Sequence, residues 1–313
     1  MLSCRSTSHS EIFNTEITWG FTESLKSLKK LEKLIIRDSR LSGSIPDFIN
    51  ELHSLTEINL SNNNLSGVIP KQITLLPSLR TLDLHGNNLN QYIPVEIGRL
   101  TNLEHLDLHN NRIYSPIPMT MRSLENLVTV DLSNNILVAY VPDIFSSLRR
   151  LRVFNVAGNR LSGPLPVSLL AAESLQYIDI SDNVDLGSLH AASPNSSMES
   201  FFETNKPFGA NAAKTSLGDL PPLPSLLGID IANTRFRIKD LSFLAGRTLY
   251  KLGFSLDGDM IPRWISFPPT LISLRLSDSG LTELPQWITR LQDLAELWVV
   301  AILNQTPASA SSS

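Results

Sequence analysis

The chain has 313 residues, enough to bury a substantial core in one or two domains. Its formal net charge is −4 at pH 7, and a chain without a basic excess is a poor candidate for nucleic-acid binding. The single cysteine, Cys4, excludes an intramolecular disulfide and any metal site built from several cysteines.

The sequence shows no stretch typical of a membrane span or a secretory signal. No window approaches the roughly 20 apolar residues that a membrane helix needs, and the nearest candidate, 294–303, contains Glu296. The first residues, MLSCRSTSHSEIFNTE, lack the uninterrupted apolar stretch of a secretory signal. One cysteine and no signal also suit a reducing compartment, so a cytoplasmic location stays open as an alternative.

Two short segments precede the regular part of the chain. Residues 1–10 are predicted to be a disordered N-terminus. Residues 11–30 carry apolar side chains one period before those of the repeats described next: Ile12, Ile17, Phe21, Leu25 and Leu28. We predict that residues 11–30 form a degenerate capping repeat, because an uncovered end coil would expose the core.

A 24-residue repeat fills residues 31–186, which we predict to form seven regular units. The same leucine opens each unit, at Leu31, Leu55, Leu79, Leu103, Leu127, Leu151 and Leu175. In phrases such as LRTLDLHGNNL the leucines then alternate with polar residues, which is the period of a half-buried strand. This is the leucine-rich-repeat pattern L-x-x-L-x-L-x-x-N-x-L. It predicts an α/β solenoid, a curved right-handed superhelix with a parallel sheet on its concave face.

Two further positions of the repeat have a structural interpretation. An asparagine recurs where the chain leaves each strand, at Asn63, Asn87, Asn111, Asn135, Asn159 and Asn183. An amide that points inward there is predicted to satisfy backbone groups of its own coil and of the neighbouring one. An apolar–proline pair such as Ile69-Pro70 follows, and apolar residues at helical spacing come after it. This half of the unit predicts a short helical turn on the convex side.

The regular rhythm breaks after Leu175. Residues 187–225 include HAASPNSSMES and GDLPPLPSL and are predicted to be an irregular insertion or loop. The pattern resumes less regularly over 226–300, where we predict about four divergent repeats. Trp264 and Trp287 lie in their proline-containing segments and are expected to pack between coils. The tail, 301–313, is of low complexity and is predicted to be disordered.

The segment LSGSIPDFINELHSLTEINLSNNNLSGVIP (41–70) resembles the plant-specific class of leucine-rich repeats across a whole unit. The chain is similar to polygalacturonase-inhibiting proteins and to the ectodomains of receptor-like proteins and receptor kinases. The resemblance is firm over 31–186 and loose over 226–300. It implies an extracellular or cell-surface location. Family members usually bracket their repeats with cysteine-paired caps, whereas Trp19 stands here without a cysteine pair.

The variable positions of the repeat form three columns on the predicted concave face, about 5 Å apart from strand to strand. The first column runs Ile35, Asn59, Asp83, Asp107, Asp131, Asn155, Asp179. The second column runs Arg37, Ser61, His85, His109, Ser133, Ala157, Ser181. The third column runs Lys33, Glu57, Thr81, His105, Thr129, Val153, Tyr177. All of these side chains are predicted to face solvent.

We predict that the ligand surface lies on these columns. Its members are Asp83, His85, His105, Asp107, His109, Asp131, Tyr177 and Asp179. The histidines are interpreted as hydrogen-bonding contacts whose charge changes with pH near neutrality. Imidazoles beside carboxylates are also good ligands for a divalent metal. A flat ladder, however, offers no cleft that excludes water, and it is expected to hold the imidazoles side by side. The sequence therefore assigns no catalytic residue, no cofactor and no metal site.

The segment KSLKKLEKLIIRDSR carries six cations close together: Lys26, Lys29, Lys30, Lys33, Arg37 and Arg40. Such a run is commonly a solvated end cap. It could instead form an anion site for an acidic polysaccharide or an acidic protein patch, because clustered charge focuses the field. N-glycosylation sequons occur at Asn59, Asn64, Asn195 and Asn304.

The function that the sequence indicates is non-catalytic recognition of a protein or peptide on the concave face, in plant cell-surface signalling or defence. By resemblance, the candidate partners are a receptor kinase and a polygalacturonase. Apoplastic inhibition of polygalacturonase is the first alternative, and an inhibitor would depress pectin hydrolysis whereas a receptor module would not. An intracellular scaffold is a second alternative. A metal-dependent enzyme is a third, which bound metal in the purified protein would favour.

Overall fold

Twelve parallel strands form one continuous sheet in the part of the chain that this computed structural model describes, namely residues 9–13, 20–187, 225–236, 248–255, 267, 269–277 and 286–300. The strands are β1 (His9–Phe13), β2 (Lys33–Arg37), β3 (Glu57–Asn59), β4 (Thr81–Asp83), β5 (His105–Asp107), β6 (Thr129–Asp131), β7 (Val153–Asn155), β8 (Tyr177–Asp179), β9 (Gly228–Asp230), β10 (Lys251–Ser255), β11 (Ser273–Ser277) and β12 (Glu296–Val300). Each strand pairs with the next one along the chain. The fold is a curved leucine-rich-repeat solenoid with this sheet on its concave face, as the repeat predicts.

The core runs through the described coils from Leu31 to Leu291 because successive coils bury the same positions. The last strand differs, since Leu297 and Val299 are exposed there. Leu103, which opens one repeat, is fully buried, and Leu106 and Leu108 of the following strand phrase are buried with it. On the convex side of the same repeat Met121 and Leu124 are buried as well. A coil of this kind buries its apolar face only when a neighbour stacks on it, so the stability of each repeat depends on the next.

The recurring asparagines form a buried hydrogen-bonded ladder, which confirms their predicted role. The Nδ2 of Asn87 donates to the carbonyl oxygens of Leu60, Leu84 and His85 at 2.9, 3.0 and 3.1 Å. Its Oδ1 accepts the backbone N–H of Leu65 at 3.0 Å. One amide thus satisfies groups of two adjacent coils that would otherwise be buried without partners.

The convex side is built mainly from 3₁₀ turns. They span Glu23–Ser27, Asp47–Glu51, Lys71–Leu75, Val95–Arg99, Met119–Ser123 and Gln286–Arg290. Among the described residues one α-helical turn, α1, spans Val167–Leu170. Pro46, Pro70, Pro94 and Pro118 stand immediately before four of the 3₁₀ turns. Each of these 3₁₀ turns is five residues long, and helical connections this short commonly adopt the 3₁₀ form.

Two small parallel sheets follow the asparagine ladder, and the sequence did not predict them. One contains Ser42–Gly43, Asn64–Gly67, Asn88–Gln91 and Arg112–Ile113, and the other contains Val138–Ala139, Arg160–Gly163 and Asp185–Leu186. Gly43, Gly67 and Gly163 have positive φ angles of 89°, 81° and 76°. Glycine adopts this backbone conformation without steric cost, which lets the chain bend from the small sheet towards the convex side.

The ends of the described repeats differ in part from the predicted segment boundaries. β1 begins at His9, two residues before the predicted cap at 11–30, and His9 pairs with Lys33 one period later. β9 pairs directly with β8, although the predicted insertion, 187–225, separates them along the chain. Most of that insertion, Trp264 and the tail 301–313 lie outside the described residues. No helix among the described residues is long and apolar enough to cross a membrane.

Candidate functional site

The pairing register aligns the variable positions into columns along the concave face. Asp83 of β4 pairs with Asp107 of β5, which pairs with Asp131 of β6. The expectation that every column member faces solvent is wrong for three serines of the second column: Ser61, Ser133 and Ser181 are buried. Each of these hydroxyls donates to the Asn or Asp Oδ1 two residues earlier, at 2.6 to 2.7 Å, and this bond holds it against the turn.

The aspartates of the first column have a structural role as well as an exposed face. The Oδ1 atoms of Asp83 and Asp107 accept the backbone N–H groups of His85 and His109 at 3.2 and 3.1 Å. This bond closes the turn that leaves each strand. The Oδ2 of Asp83 also accepts the amide N–H of Asn59 at 3.0 Å, which links neighbouring repeats.

His85 and His109 form a stacked pair on these aspartates, which we call the histidine pair. Their ring centroids lie 4.3 Å apart, with the ring planes inclined by 10°. The Nδ1 of His85 is 2.7 Å from Asp83 Oδ1, and the Nδ1 of His109 is 2.6 Å from Asp107 Oδ1. The histidine pair is half-buried and remains accessible to solvent.

His105 is the one predicted histidine that the structure does not bring into this group. It lies at the amino end of β5, is exposed, and places its Nδ1 2.8 Å from Thr129 Oγ1 of the next strand. The predicted polar patch is therefore divided into the histidine pair with its aspartates and a separate His105–Thr129 contact.

The carboxylates set the electrostatics around the histidine pair. The hydrogen bond to Asp107 raises the pKa of His109, burial opposes that rise, and the negative charges of Asp107, Asp131 and Asp83 reinforce it. Burial raises the pKa of Asp83, while its hydrogen bonds from His85 act in the opposite direction. The group as a whole is suited to hold a cation or to accept hydrogen bonds from a ligand.

A second polar group on the concave face was found only in the structure, and we call it the C-terminal polar cluster: Asp179, Asp182, Asp230, Lys251 and Arg275. Lys251 Nζ donates to Asp179 Oδ2 at 2.8 Å. The Nη2 of Arg275 donates to both carboxylate oxygens of Asp182, at 2.7 and 2.9 Å. Sequence reasoning identified Asp179 alone. Asp182 lies in the turn after β8, and the other three members come from strands β9 to β11, beyond the break in the repeat.

At two glycines on the concave face, neighbouring side chains occupy the space in which a Cβ atom would lie. A Cβ atom added to Gly228 would lie 2.8 Å from Cδ1 of Tyr177 and 3.0 Å from Cβ of Lys251. A Cβ atom added to Gly253 would lie only 2.1 Å from Asp230 Oδ1. The ring of Tyr177 therefore lies across strand β9, where 37% of the residue remains exposed.

The buried carboxyl of Asp230 predicts a pH-dependent effect on stability. Burial raises its pKa from 3.8 to about 6, and the nearby charge of Asp179 adds to the rise. Because the folded-state pKa is the higher one, this group contributes most to stability below about pH 4, and the contribution is lost as the pH rises through 6. We expect Asp230→Asn to raise the free energy of unfolding by on the order of 2 kcal/mol at pH 7.5 and to change it little at pH 4.

Urea unfolding of the two chains at pH 4 and pH 7.5 measures this difference. The amide keeps an Oδ1 acceptor for the backbone N–H of Ala232, which Asp230 accepts at 3.0 Å. A stability gain of the same size at both pH values would show that ionisation of Asp230 is not its cause.

The structure does not gather the six cations of the predicted anion patch into one group. Lys29 and Lys33 pair with Glu51 and Glu57, each at 2.9 Å. Lys26 lies on a convex 3₁₀ turn and pairs with Glu23, whereas Lys33 and Arg37 lie on β2. Each of these pairs reduces the positive charge that an anion would meet. Lys30 and Arg40 lie in the connections that flank β2, and an anion site remains a prediction.

The predicted glycosylation sites differ in access. Asn59 is half-buried, with its amide N–H donated to Asp83 and its Oδ1 occupied by Ser61. Asn64 is exposed and accepts one hydrogen bond from Asn88 at 2.8 Å. Asn195 and Asn304 lie outside the described residues.

Comparisons with known proteins agree with this architecture. A family described as leucine rich repeat matches residues 29–89 and 125–184, and a second, described as two-copy leucine rich repeats, matches residues 77–119. No curated protein sequence matches the chain. The repeats are thus leucine-rich repeats, and the plant-specific type has support from the solved structures that follow.

Two of the similar solved structures are plant receptor ectodomains. The ectodomain of the Arabidopsis thaliana membrane receptor kinase GASSHO1/SCHENGEN3, solved with CASPARIAN STRIP INTEGRITY FACTOR 2, is 25% identical with a TM-score of 0.69. The match covers 92% of this chain and 32% of that one. The Arabidopsis receptor kinase HAESA, solved with the peptide hormone IDA and the co-receptor SERK1, is 21% identical with a TM-score of 0.63, over 95% of this chain and 42% of that one. The chain thus spans less than half of either ectodomain.

A bacterial protein shares the fold as well. The leucine-rich-repeat protein LIC12759 of Leptospira interrogans is 24% identical with a TM-score of 0.57, and the match covers 89% of this chain and 70% of that one. The solenoid architecture alone is therefore common to proteins of very different origin, and the function has to be argued from the concave surface.

Proposed function

We propose that the chain is a non-catalytic recognition module that binds a protein or peptide along its concave face, as a receptor-like component at the plant cell surface. The plant ectodomains with the same fold are described with a peptide hormone or an integrity factor bound. A parallel sheet lined with in-register variable side chains offers an extended partner a regular series of contacts. The proposed extracellular location rests on the same receptor ectodomains.

The observation that carries this proposal is the exposure of aromatic and titratable side chains on the concave columns. Trp298 of β12 is 62% exposed, and Tyr177 of β8 and His105 of β5 are exposed on the same sheet. Solvated sheet positions are ordinarily small or polar, whereas exposed aromatic side chains are typical anchors of protein interfaces. The four strand steps from β8 to β12 span about 19 Å, which an extended peptide covers with about six residues.

Acidic side chains make the middle of this surface favour a positively charged group on the partner. Asp83, Asp107 and Asp131 stand on three consecutive strands, and the cations Lys251 and Arg275 lie several strands further along. A partner with a basic side chain opposite the aspartates and an apolar or aromatic group near Tyr177 matches this distribution.

Selection of peptides from a displayed library on the whole purified chain tests the proposal. We expect Tyr177→Ala and Trp298→Ala each to weaken binding of the selected peptides by about tenfold or more, because aromatic anchors dominate such interfaces. The matched control is Val95→Ala, since Val95 is 53% exposed on a convex 3₁₀ turn. Circular dichroism of each variant confirms that the fold is retained.

Two outcomes would contradict a concave binding surface. In one, the selected peptides bind the two concave variants as tightly as the native chain. In the other, Val95→Ala weakens binding as much as the concave substitutions do.

A further inference from the structure

Three side chains beside strands β4 and β5 converge on a common point. One ligand atom each from His85, Asp107 and His109 lies within 4.8 Å of the other two. The two imidazoles lie side by side as the flat ladder predicts, stacked 4.3 Å apart, and Asp107 brings a carboxylate close to both. His85 and His109 stand two residues after the aspartates that end β4 and β5, and they lie in the turns there, with the Asp107 carboxylate beside the Nδ1 atoms of both rings.

We propose that His85, Asp107 and His109 bind a divalent transition-metal ion such as Zn²⁺. Two imidazole nitrogens and one carboxylate oxygen are a donor set that zinc accepts, with solvent completing a four-coordinate site. Three atoms no more than 4.8 Å apart leave a point within about 2.8 Å of all of them. Zinc–ligand bonds of about 2.0–2.2 Å then require the side chains to close in by less than about 1 Å and the stacked imidazoles to rotate, so that a nitrogen lone pair of each ring points at the ion.

The carboxylate orientation favours this assignment. Asp107 Oδ1 is 2.6 Å from the Nδ1 of His109, and Asp107 Oδ2 is 3.8 Å from the Nδ1 of His85. Both oxygens therefore face imidazole nitrogens. Asp83, whose Oδ1 lies 2.7 Å from the Nδ1 of His85, supplies further negative charge beside the site.

The repeat itself does not require histidine at these positions. Ser61, Ser133 and Ser181 occupy the equivalent place in other repeats, and each makes the same hydrogen bond to the residue two positions earlier. A serine would therefore serve the fold at positions 85 and 109. Two histidines in the turns after adjacent strands add metal-binding donors that the fold does not need.

Calorimetric titration of the whole chain with ZnCl₂, after removal of metal with a chelator, tests the proposal. We expect saturable binding of one ion per chain at this site. His85→Ser and His109→Ser should each weaken binding by about tenfold or more, since loss of even an outer partner of a ligand commonly costs that much. Both variants install the residue that neighbouring repeats already carry, so the fold should persist.

The matched control is His105→Thr, because threonine stands in the same column at positions 81 and 129. It should leave zinc affinity unchanged. The proposal is overturned if the native chain shows no saturable zinc binding, if the serine variants bind zinc as tightly as the native chain, or if His105→Thr weakens binding equally. Zinc binding is measured without a partner, so its failure would leave the proposed recognition function untouched.

Discussion

Asn111→Asp is expected to lower the free energy of unfolding by about 4 kcal/mol, because it replaces a buried donor with an anion. The Nδ2 of Asn111 donates to the carbonyl oxygens of Leu84, Leu108 and His109 at 3.0, 3.1 and 3.3 Å. An aspartate keeps the Oδ1 that accepts the N–H of Leu89 at 3.0 Å. It turns the other half of the side chain into a charge that faces three carbonyl oxygens.

Asn102→Asp is the matched control, since the chemical change is identical. Asn102 is exposed, and its Nδ2 donates only to the carbonyl oxygen of Pro77, at 2.8 Å. We expect this variant to change the free energy of unfolding by less than about 1 kcal/mol. Urea unfolding followed by circular dichroism compares the two, and equal losses would refute a special role for the buried ladder.

Gly253→Ala is expected to cost about 3 kcal/mol of stability, at the upper end of what overpacking costs. The new Cβ atom would lie 2.1 Å from Oδ1 and 2.2 Å from Cγ of Asp230. Asp230 is buried, with 2% of its surface exposed, and its Oδ1 accepts the N–H of Ala232. The carboxyl group cannot move away without breaking that bond.

The double variant Asp230→Ala, Gly253→Ala tests this explanation. Removing the Asp230 carboxyl removes the atoms that the new methyl group would overlap. We therefore expect the alanine at position 253 to cost less than half as much in the Asp230→Ala background as in the native chain. If the stability losses of the two single substitutions simply add in the double variant, as measured by urea unfolding, then Asp230 is not the reason that position 253 requires glycine.

The sheet and the asparagine ladder could be predicted from the sequence because both depend on local period. A repeat of constant length puts the same residue type at the same place in every coil. The spacing of Asn87 and Asn111 alone therefore indicates their structural role. The two small sheets could not be found in this way. Their strands are two to four residues long and have no alternation of apolar and polar residues.

The candidate site was predictable where the period is regular and not beyond it. Asp83, Asp107 and Asp131 are in register as expected, whereas Tyr177 pairs with Gly228, 51 residues later along the chain. That pairing brings Lys251 and Arg275 close to Asp179 and Asp182. The divergent repeats predicted over 226–300 indicate strands there, but their irregular spacing does not indicate which side chains meet. The convergence of the histidine pair depends on how the turn bends after each strand, which alternation along a strand does not describe.

Site-specific photocrosslinking from the concave face tests recognition on this surface most directly. Two variants carry the photoreactive amino acid benzoylphenylalanine, one at position 105 and one at position 95. Position 105 is exposed on β5, and position 95 is exposed on the convex side. With a peptide selected on the native chain, we predict a covalent adduct from position 105 and none from position 95. An adduct from position 95 with none from position 105 would place the partner on the opposite side of the solenoid and contradict the proposed function.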